Sequence, residues 1–503
     1  MLKVDNLTIW THKGRRLVEG LSFVLNDGDK LALIGEEGNG KSTIMKIIAG
    51  IDVSDYVSFE GNIIGSGHMG YLPQRIESWH LDDDVINYIV DGQEMDYARL
   101  YDAIKRVNID SRIIDEDRII KSLSGGEKVK VSLARVLYGL PDALLLDEPT
   151  NDLDLETLIW LEEFIKSEKR PIMFISHDET MLENCSNAII HLEQLKRKSE
   201  PRVTYSGEGY REYCQNRQYN ISRINMIAKK EKAELNKQLE RYRQIYQRVE
   251  HEQNTISRGD PHGGQLLKKK MHAVKSLGRN LEEKERNLTQ KYEPEEAIDI
   301  FFEDVKMNGD KDILDLHLDE LKVENRVLSK DIDIHVKGKD KVCIIGRNGI
   351  GKTTLFRKIY EVLSARDDIS LGYMPQNYHE VMDYDMTPVE FLLMDHEYSM
   401  RSKVQSFLGA LKLTSEEMEH RIAELSEGQK CKILIIRMIL DGNDVLLMDE
   451  PTRNLSPLSG PRIREILNDY KGTIISVSHD RKYIDEVCDK VYELSENGLK
   501  EMS

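Results

Sequence analysis

Apolar residues along this chain are spaced in three ways. Short, nearly unbroken runs, LALI (Leu31–Ile34), ALLL (Ala143–Leu146) and IMFI (Ile172–Ile175), reappear in the second half as VCII (Val342–Ile345), VLLM (Val445–Met448) and IISV (Ile474–Val477). Runs of this kind predict strands buried on both faces of a parallel sheet. The opening MLKVDNLTIW instead alternates apolar and polar residues, which predicts a first strand and not the charged start and apolar core of a leader. From about Cys214 to Tyr292 a heptad spacing takes over. Its positions are Ile221, Ile224, Ala228, Glu231, Leu235, Gln238, Tyr242, Ile245 and Val249, and then Leu267, Val274, Leu281 and Leu288. The stretch His251–Gln265 holds Gly259, Asp260, Pro261, Gly263 and Gly264, so it predicts a broken tip between two antiparallel helices. The first helix should run about 35 residues and reach roughly 50 Å. No apolar run approaches the about 18 residues of a membrane span.

The buried runs belong to an internal repeat. Gln74 and Gln376, Ser124 and Ser426, Glu148 and Glu450, and His177 and His479 are each separated by 302 residues, whereas Lys41 and Lys352 are separated by 311. The first copy therefore carries nine extra residues between Lys41 and Gln74, expected to form a surface loop near Asp55–Ser66. Two duplicated α/β domains follow, spanning 1–213 and 296–503, with the helical segment 214–295 between them.

Each copy carries GxxxxGK[ST] after a buried run and before a helical pattern. The first has Gly35, Gly38, Gly40, Lys41, Ser42 and Thr43, and the second Gly346, Gly349, Gly351, Lys352, Thr353 and Thr354. Glycines let the backbone curl so that its N–H groups, and the helix N-terminus behind them, face phosphate oxygens. Lys41 and Lys352 then reach the β- and γ-phosphates, and Ser42 and Thr353 offer hydroxyls to Mg²⁺. Each copy also ends a buried run in Asp-Glu-Pro. Asp147 and Asp449 are expected to support the metal, and Glu148 and Glu450 to act as general bases on the attacking water. Gln74 and Gln376 supply neutral amides to metal and water. His177 and His479, at the ends of apolar strands, are placed to touch the γ-phosphate.

LSGGEK (Leu123–Lys128) and LSEGQK (Leu425–Lys430) resemble the signature of ABC-type ATPases. The resemblance implies two ATPs in a head-to-tail sandwich within one monomer. Ser426 and Gly428 would complete the site of Lys41. Ser124, Gly125 and Gly126 would complete that of Lys352. Trp10 reads either as an adenine platform or as an ordinary strand aromatic. The fold class expected is thus α/β, with two tandem ABC-type P-loop nucleotide-binding domains joined by an α-helical hairpin.

Charge changes the picture of the hairpin. Between Arg217 and Lys291 there are 18 Lys and Arg against 9 Asp and Glu, a net of +9 in a chain of net charge −18, so the remainder carries −27. Its far part holds Arg258, Lys268, Lys269, Lys270, Lys275 and Arg279 against Asp260 alone. A basic arm on an acidic body predicts a phosphate-rich target. Twin cassettes with such a linker, together with Glu148–Asp154 (EPTNDLD) and Tyr205–Tyr210 (YSGEGY), resemble the ABC-F family of translation factors. That likeness implies a cytoplasmic ATPase without a membrane domain, bound to the E site of the 70S ribosome. Linker 214–295 would contact 23S rRNA and P-site tRNA. Arg453–Pro457 (RNLSP) is similar to the antibiotic-resistance branch, which protects the peptidyl transferase centre from lincosamides, streptogramins A and pleuromutilins. Ser456 in place of an Asp, and Glu427 opposite Gly125, predict unequal ATP sites. A housekeeping ABC-F factor and the ATPase subunit of a membrane transporter are the alternatives. Five widely separated cysteines with no CxxC or CxxH spacing predict free thiols.

Overall fold

The computed structural model describes residues 1–65, 67–115, 118–151, 153–195, 200–255, 261–292, 294, 305, 307–324, 326–411 and 413–502. Two compact units emerge, one of Met1–Tyr210 with Glu295–Ser503 and the other of Arg211–Pro294. The first contains both repeats. The expected boundary at 295/296 lies outside the described residues, as do Arg258, Gly259 and Asp260.

The first repeat contributes β1 (Leu2–Thr11), β2 (Arg16–Leu25), β3 (Lys30–Gly35), β4 (Val57–Ile64), β5 (Met69–Leu72), β6 (Ala143–Asp147), β7 (Ile172–Ile175), β8 (Ala188–Gln194) and β9 (Glu200–Ser206). Its main sheet has the order β5-β6-β7-β3-β8-β9, parallel except for β9. The second repeats it with β10 (Asp312–Val323), β11 (Arg326–Lys337), β12 (Lys341–Ile345), β13 (Leu371–Met374), β14 (Val445–Asp449), β15 (Thr473–Val477), β16 (Lys490–Ser495) and β17 (Gly498–Met502), in the order β13-β14-β15-β12-β16-β17. Every residue of β3, β6, β14 and β15 is buried, as expected for strands covered on both faces. The core of the first repeat lies between this sheet (Leu31, Leu33, Leu145), the helix Lys41–Ile48 (Ile44, Met45) and the antiparallel strands β1 and β2 (Val4, Ile9, Leu21). The phosphate loop thus runs from a fully buried strand into a helix packed on the same core.

The nine extra residues do not form the expected loop. They fall where β4 pairs antiparallel with β1, from Lys3↔Ile64 to Thr11↔Val57, giving a three-stranded sheet β2-β1-β4. Among the described residues the second repeat has a two-stranded sheet there, β10-β11. Val57 is buried, and Ser58, Glu60 and Asn62 alternate along an otherwise exposed strand. Half-polar alternation suits an edge strand, and the free side of β1 supplies its backbone partners.

The second unit is a helical hairpin. Helix Tyr210–Thr255 (46 residues) is longer than expected, and the next helix, Pro261–Arg286, starts inside the predicted break. Proline at a first helical position costs nothing, since its missing N–H has no helical partner there. The two run antiparallel. Gln253 Nε2 donates to Leu267 O at 3.4 Å, Lys284 Nζ to Gln238 Oε1 at 3.3 Å and Thr289 N to Glu231 Oε2 at 2.9 Å. Ala228, Leu235, Val249, Leu267, Val274 and Leu281 are buried as the heptad predicts. Ile245 is not: it is 44% exposed, and Tyr246 packs on the Val249–Met271–Val274 cluster in its place. Tyr242, Tyr246 and Val249 follow the i, i+4, i+7 spacing of a helix face, which the larger tyrosine rings fill better than a strict heptad would.

Candidate nucleotide sites

The two phosphate loops adopt the same backbone. Gly40 and Gly351 have φ of 91° and 107°, and a Cβ on Gly351 would lie 2.9 Å from Leu328 Cδ1. Only glycine fits both the left-handed conformation and the overlying strand. Lys41 Nζ donates to Gly35 O (2.8 Å) and Glu36 O (3.1 Å), and Lys352 Nζ to Gly346 O (2.7 Å) and Arg347 O (3.0 Å). Each lysine is buried, so the carbonyls of its own loop hold the ammonium beneath the curled N–H groups. Gly38 and Gly349 are likewise left-handed, at φ 76° and 79°, while Gly346 stands at 151°.

At the metal position, Ser42 Oγ donates to Asp147 Oδ1 at 3.0 Å and Tyr71 OH to Asp147 Oδ2 at 2.9 Å. Burial pushes Asp147 up, and the Tyr71 and Ser42 hydrogen bonds oppose that shift. One hydroxyl and one buried carboxylate fit Mg²⁺, which keeps waters and phosphate oxygens as its other ligands. Among the described residues no cluster of three or more His, Cys, Asp or Glu forms a cage for a metal. Gln74 meets the candidate base, its Nε2 donating to Glu148 Oε2 at 2.6 Å.

The candidate bases occupy strained backbone, Glu148 at φ 48° and Glu450 at 53°, a left-handed conformation unusual for glutamate and shared by both repeats. Their surroundings differ. Glu148 accepts from Gln74, from Asn151 Nδ2 (2.9 Å) and faces His177 Nε2 (3.1 Å). Burial opposes its charge, but the His177 contact and Lys41 outweigh it and hold the carboxyl at about 2. Among the described residues the Glu450 carboxylate accepts from the His479 backbone N–H at 3.3 Å, with His479 Nε2 3.8 Å away. Burial, reinforced by the charge of Asp449, pushes it up to about 8. Burial also raises Asp449 to about 6 and, aided by Lys352, lowers His479 to about 4.

Each site faces the signature of the other repeat. Ser124 and Ser426 N-cap the helices Gly125–Tyr138 and Glu427–Asp441 in capping boxes with Glu127 and Gln429. A cavity of about 780 Å³ lies at the second phosphate loop. Gly349, Gly351, Lys352, Thr353, Thr354, Gln376, Asp449, Glu450 and His479 line it together with Ser124, Gly125 and Leu153 of the first repeat. That size is within the ~300–1,000 Å³ of small-molecule sites. Gly126 does not line it; a Cβ there would meet Thr157 Oγ1 at 2.6 Å.

The first site is closed by contacts that sequence reasoning missed. Glu37 Oε2 accepts from Gly428 N at 3.0 Å, which puts a carboxylate on the second signature. Glu36 accepts from Ser456 Oγ, from Ser459 Oγ at 2.6 Å and from Lys432 Nζ at 3.2 Å. Burial disfavours the Glu36 charge, but Lys432 and the two serines hold the carboxyl at about 2. His177 Nδ1 lies 2.7 Å from Leu455 O. The corresponding His479 Nδ1 is buried without a partner among the described residues. At the second site Asp154 Oδ2 accepts from Asn348 N at 3.3 Å, and Arg347 pairs with Glu156 at 3.0 Å on the surface. Asp154 of the first repeat thus faces the second phosphate loop, whereas at the related Ser456 the acid stands on the facing loop, as Glu36. The signal was available: the phosphate loops differ at Glu36-Glu37 against Arg347-Asn348. Trp10 lies half-buried on β1 opposite Arg16, next to the Leu17 that overlies Gly40. Asp152 of the EPTNDLD string lies outside the described residues.

A family profile described as ABC transporter matches residues 18–151 and 329–453, together just over half of the chain. The Arabidopsis thaliana ABC transporter F family member 5 is 26% identical, across 99% of this chain and 76% of its own length. The Bacillus subtilis ribosome protection protein VmlR is 27% identical, across 97% of this chain and 86% of its own. The archaeal ribosome recycling factor aABCE1, solved with the ribosomal stalk protein aP1, aligns with a TM-score of 0.60 over 96% of this chain and 87% of that one at 19% identity, a likeness of fold.

Proposed function

Since the chain belongs to the ABC transporter family and is an ATP hydrolase, we propose that it is an ABC-F ATPase that binds the ribosome and protects the peptidyl transferase centre from antibiotics. Two ATPs lie between the repeats. Ser42 with Asp147, and Thr353 with Asp449, would hold Mg²⁺, and Gln74 and Gln376 would offer their amides to the metal and the attacking water. Lys41 and Lys352 bind the β- and γ-phosphates. Glu148 and Glu450 orient water for attack on the γ-phosphate, with His177 and His479 beside them. ATP holds the repeats together, and hydrolysis releases them.

One observation carries this reading. The two repeats that complete each other's sites are joined by a basic helical hairpin, and no helix among the described residues is long and apolar enough to cross a membrane. An ATPase subunit serving a membrane partner has no use for that hairpin. We place it in the ribosomal E site, against 23S rRNA and P-site tRNA, because a basic arm matches a phosphate-rich target and because two relatives carry translation-linked or ABC-F names. The RNLSP string supports the protective role. A housekeeping factor is the second reading, favoured by near-equal identity to the F family member and to the protection protein.

The Glu148→Gln/Glu450→Gln chain should co-sediment with 70S ribosomes in ATP and not in ADP. Absence of co-sedimentation rejects both ribosomal readings. Expression in a drug-sensitive bacterium separates them, since protection raises the inhibitory concentration of a lincosamide or pleuromutilin and housekeeping leaves it unchanged.

A further inference from the structure

The 302-residue offset that relates the motifs also relates Glu162 to Arg464 and Glu179 to Arg481. In the structure these four residues meet in two contacts that are the same contact seen twice. Arg464 Nη1 reaches Glu179 Oε1 at 2.6 Å and Nη2 reaches Oε2 at 3.3 Å, a two-pronged pair. Arg481 Nη2 contacts Glu162 Oε1 and lies 3.2 Å from Asp178 Oδ2. Positions 162 and 464 sit on the helices Leu155–Ser167 and Gly460–Asp469, and 179 and 481 open the helices Glu179–Cys185 and Arg481–Val487. Arg464, Glu162 and Glu179 are 3%, 6% and 9% exposed. Lys482 Nζ adds a contact of the same sense to Glu183 at 3.0 Å.

A duplicated domain begins with the same residue at both related positions, so the two contacts begin as the same residue pair and cannot distinguish one repeat from the other. Here the first repeat is acidic at both positions and the second basic at both. Pairing a first repeat with another first repeat would bury Glu162 against Glu179 twice, with only the half-exposed Lys166, 4.0 Å from Glu162, as a nearby cation. Pairing second with second would bury Arg464 against Arg481, leaving Arg464 only its own repeat's half-exposed Glu486, which accepts from Arg464 Nε at 2.7 Å. Buried like charges are costly, and this cost excludes wrong partners without strengthening the right one.

We infer that Glu162, Glu179, Arg464 and Arg481 form a charge code that restricts cassette closure to first-with-second pairing. The code keeps the nucleotide sandwich from forming between equivalent repeats of two chains. It is independent of what the hairpin binds, so it stands or falls apart from the ribosomal reading.

The test uses full-length chains carrying Glu148→Gln/Glu450→Gln, with closure in ATP read by small-angle scattering and assembly by sedimentation velocity. The all-acid Arg464→Glu/Arg481→Glu and all-basic Glu162→Arg/Glu179→Arg chains should each need at least about tenfold more ATP to close. The fourfold reversal, Glu162→Arg/Glu179→Arg/Arg464→Glu/Arg481→Glu, should close within about threefold of the parent. Mixing the all-acid with the all-basic chain should give a 1:1 complex that neither forms alone. Parent-like closure of both double variants overturns the code. So does a reversal that keeps the parental melting temperature yet closes no better than the double variants. Should the reversal fail to fold, the mixture decides, and absence of the 1:1 complex overturns the inference.

Discussion

Glu148 and Glu450 have the same sequence context, the same strained φ and opposite electrostatics. Glu148 is ionised by its hydrogen-bond partners, whereas Glu450 is buried with a second carboxylate beside it and holds its proton to about pH 8. For Glu450 the folded value exceeds the ordinary 4.5, so the folded chain binds a proton that the unfolded chain has released. Stability of the nucleotide-free protein therefore falls as pH rises from about 4.5 to about 8. Glu450→Gln removes that slope, and its melting temperature should gain on the parent progressively across that window. Glu148→Gln should lose stability at neutral pH, and the loss should shrink as pH falls from about 4.5 toward about 2. Identical pH profiles for the two variants would contradict the asymmetry. The exchange between Ser456 and Glu36 is testable at the same scale. Ser456→Asp places a second carboxylate against Glu36 and should weaken ATP-driven closure several-fold, while Glu36→Gln/Ser456→Asp should recover it, as read by scattering in ATP. Chemistry-bearing residues were legible because glycine spacing and the Asp-Glu pair follow from phosphate and water chemistry alone. Glu36 and Glu37 were not, since their partners Lys432, Ser456 and Gly428 are some 390 to 420 positions away in sequence.

Elements were legible wherever burial is two-sided. The runs at β3, β6, β14 and β15 gave strands because nothing charged interrupts them and the one polar residue among them, Ser476, is small. β4 escaped because an edge strand with one buried residue has no hydrophobic signal of its own, and its identity comes from the unpaired side of β1. The hairpin shows the same limit in reverse. Its seven-residue spacing predicted the seam but not where the seam would shift from Ile245 to Tyr246, which depends on the facing helix. Gly278 is part of that facing surface, since a Cβ there would lie 2.7 Å from Tyr242 OH and 2.9 Å from Cζ. Glycine costs about 1 kcal/mol in a helix interior, so its presence reflects the ring it accommodates. Gly278→Val should displace Tyr242 and destabilise the hairpin by about 1–3 kcal/mol, the usual penalty of overpacking. Hydrogen exchange should quicken in residues 225–292 and stay unchanged in β3 and β12. Slower exchange in the hairpin would mean that helix propensity outweighs the clash.

On the whole molecule, charge is divided by function. The acidic remainder of −27 repels nucleic acid, so any RNA affinity must come from the hairpin, whose net is +9. A protein that binds through phosphate contacts releases counterions, and its affinity falls with salt by a power close to the number of phosphates it neutralises. Lys268, Lys269 and Lys270 are exposed on the helix Pro261–Arg286, and among the described residues only Lys270 has a nearby acid, Glu252 at 3.7 Å. Replacing all three by glutamine should weaken binding to the proposed ribosomal target and flatten the dependence of log affinity on log salt by about one unit for each lysine that neutralises a phosphate. ATP turnover without ribosomes should be unaffected, because the residues assigned to the nucleotide sites all belong to the two repeats. Co-sedimentation of the Glu148→Gln/Glu450→Gln chain at stepped salt, with ATP saturating, measures the slope directly. A slope unchanged by the triple substitution would assign the phosphate contacts to the other 15 Lys and Arg between Arg217 and Lys291.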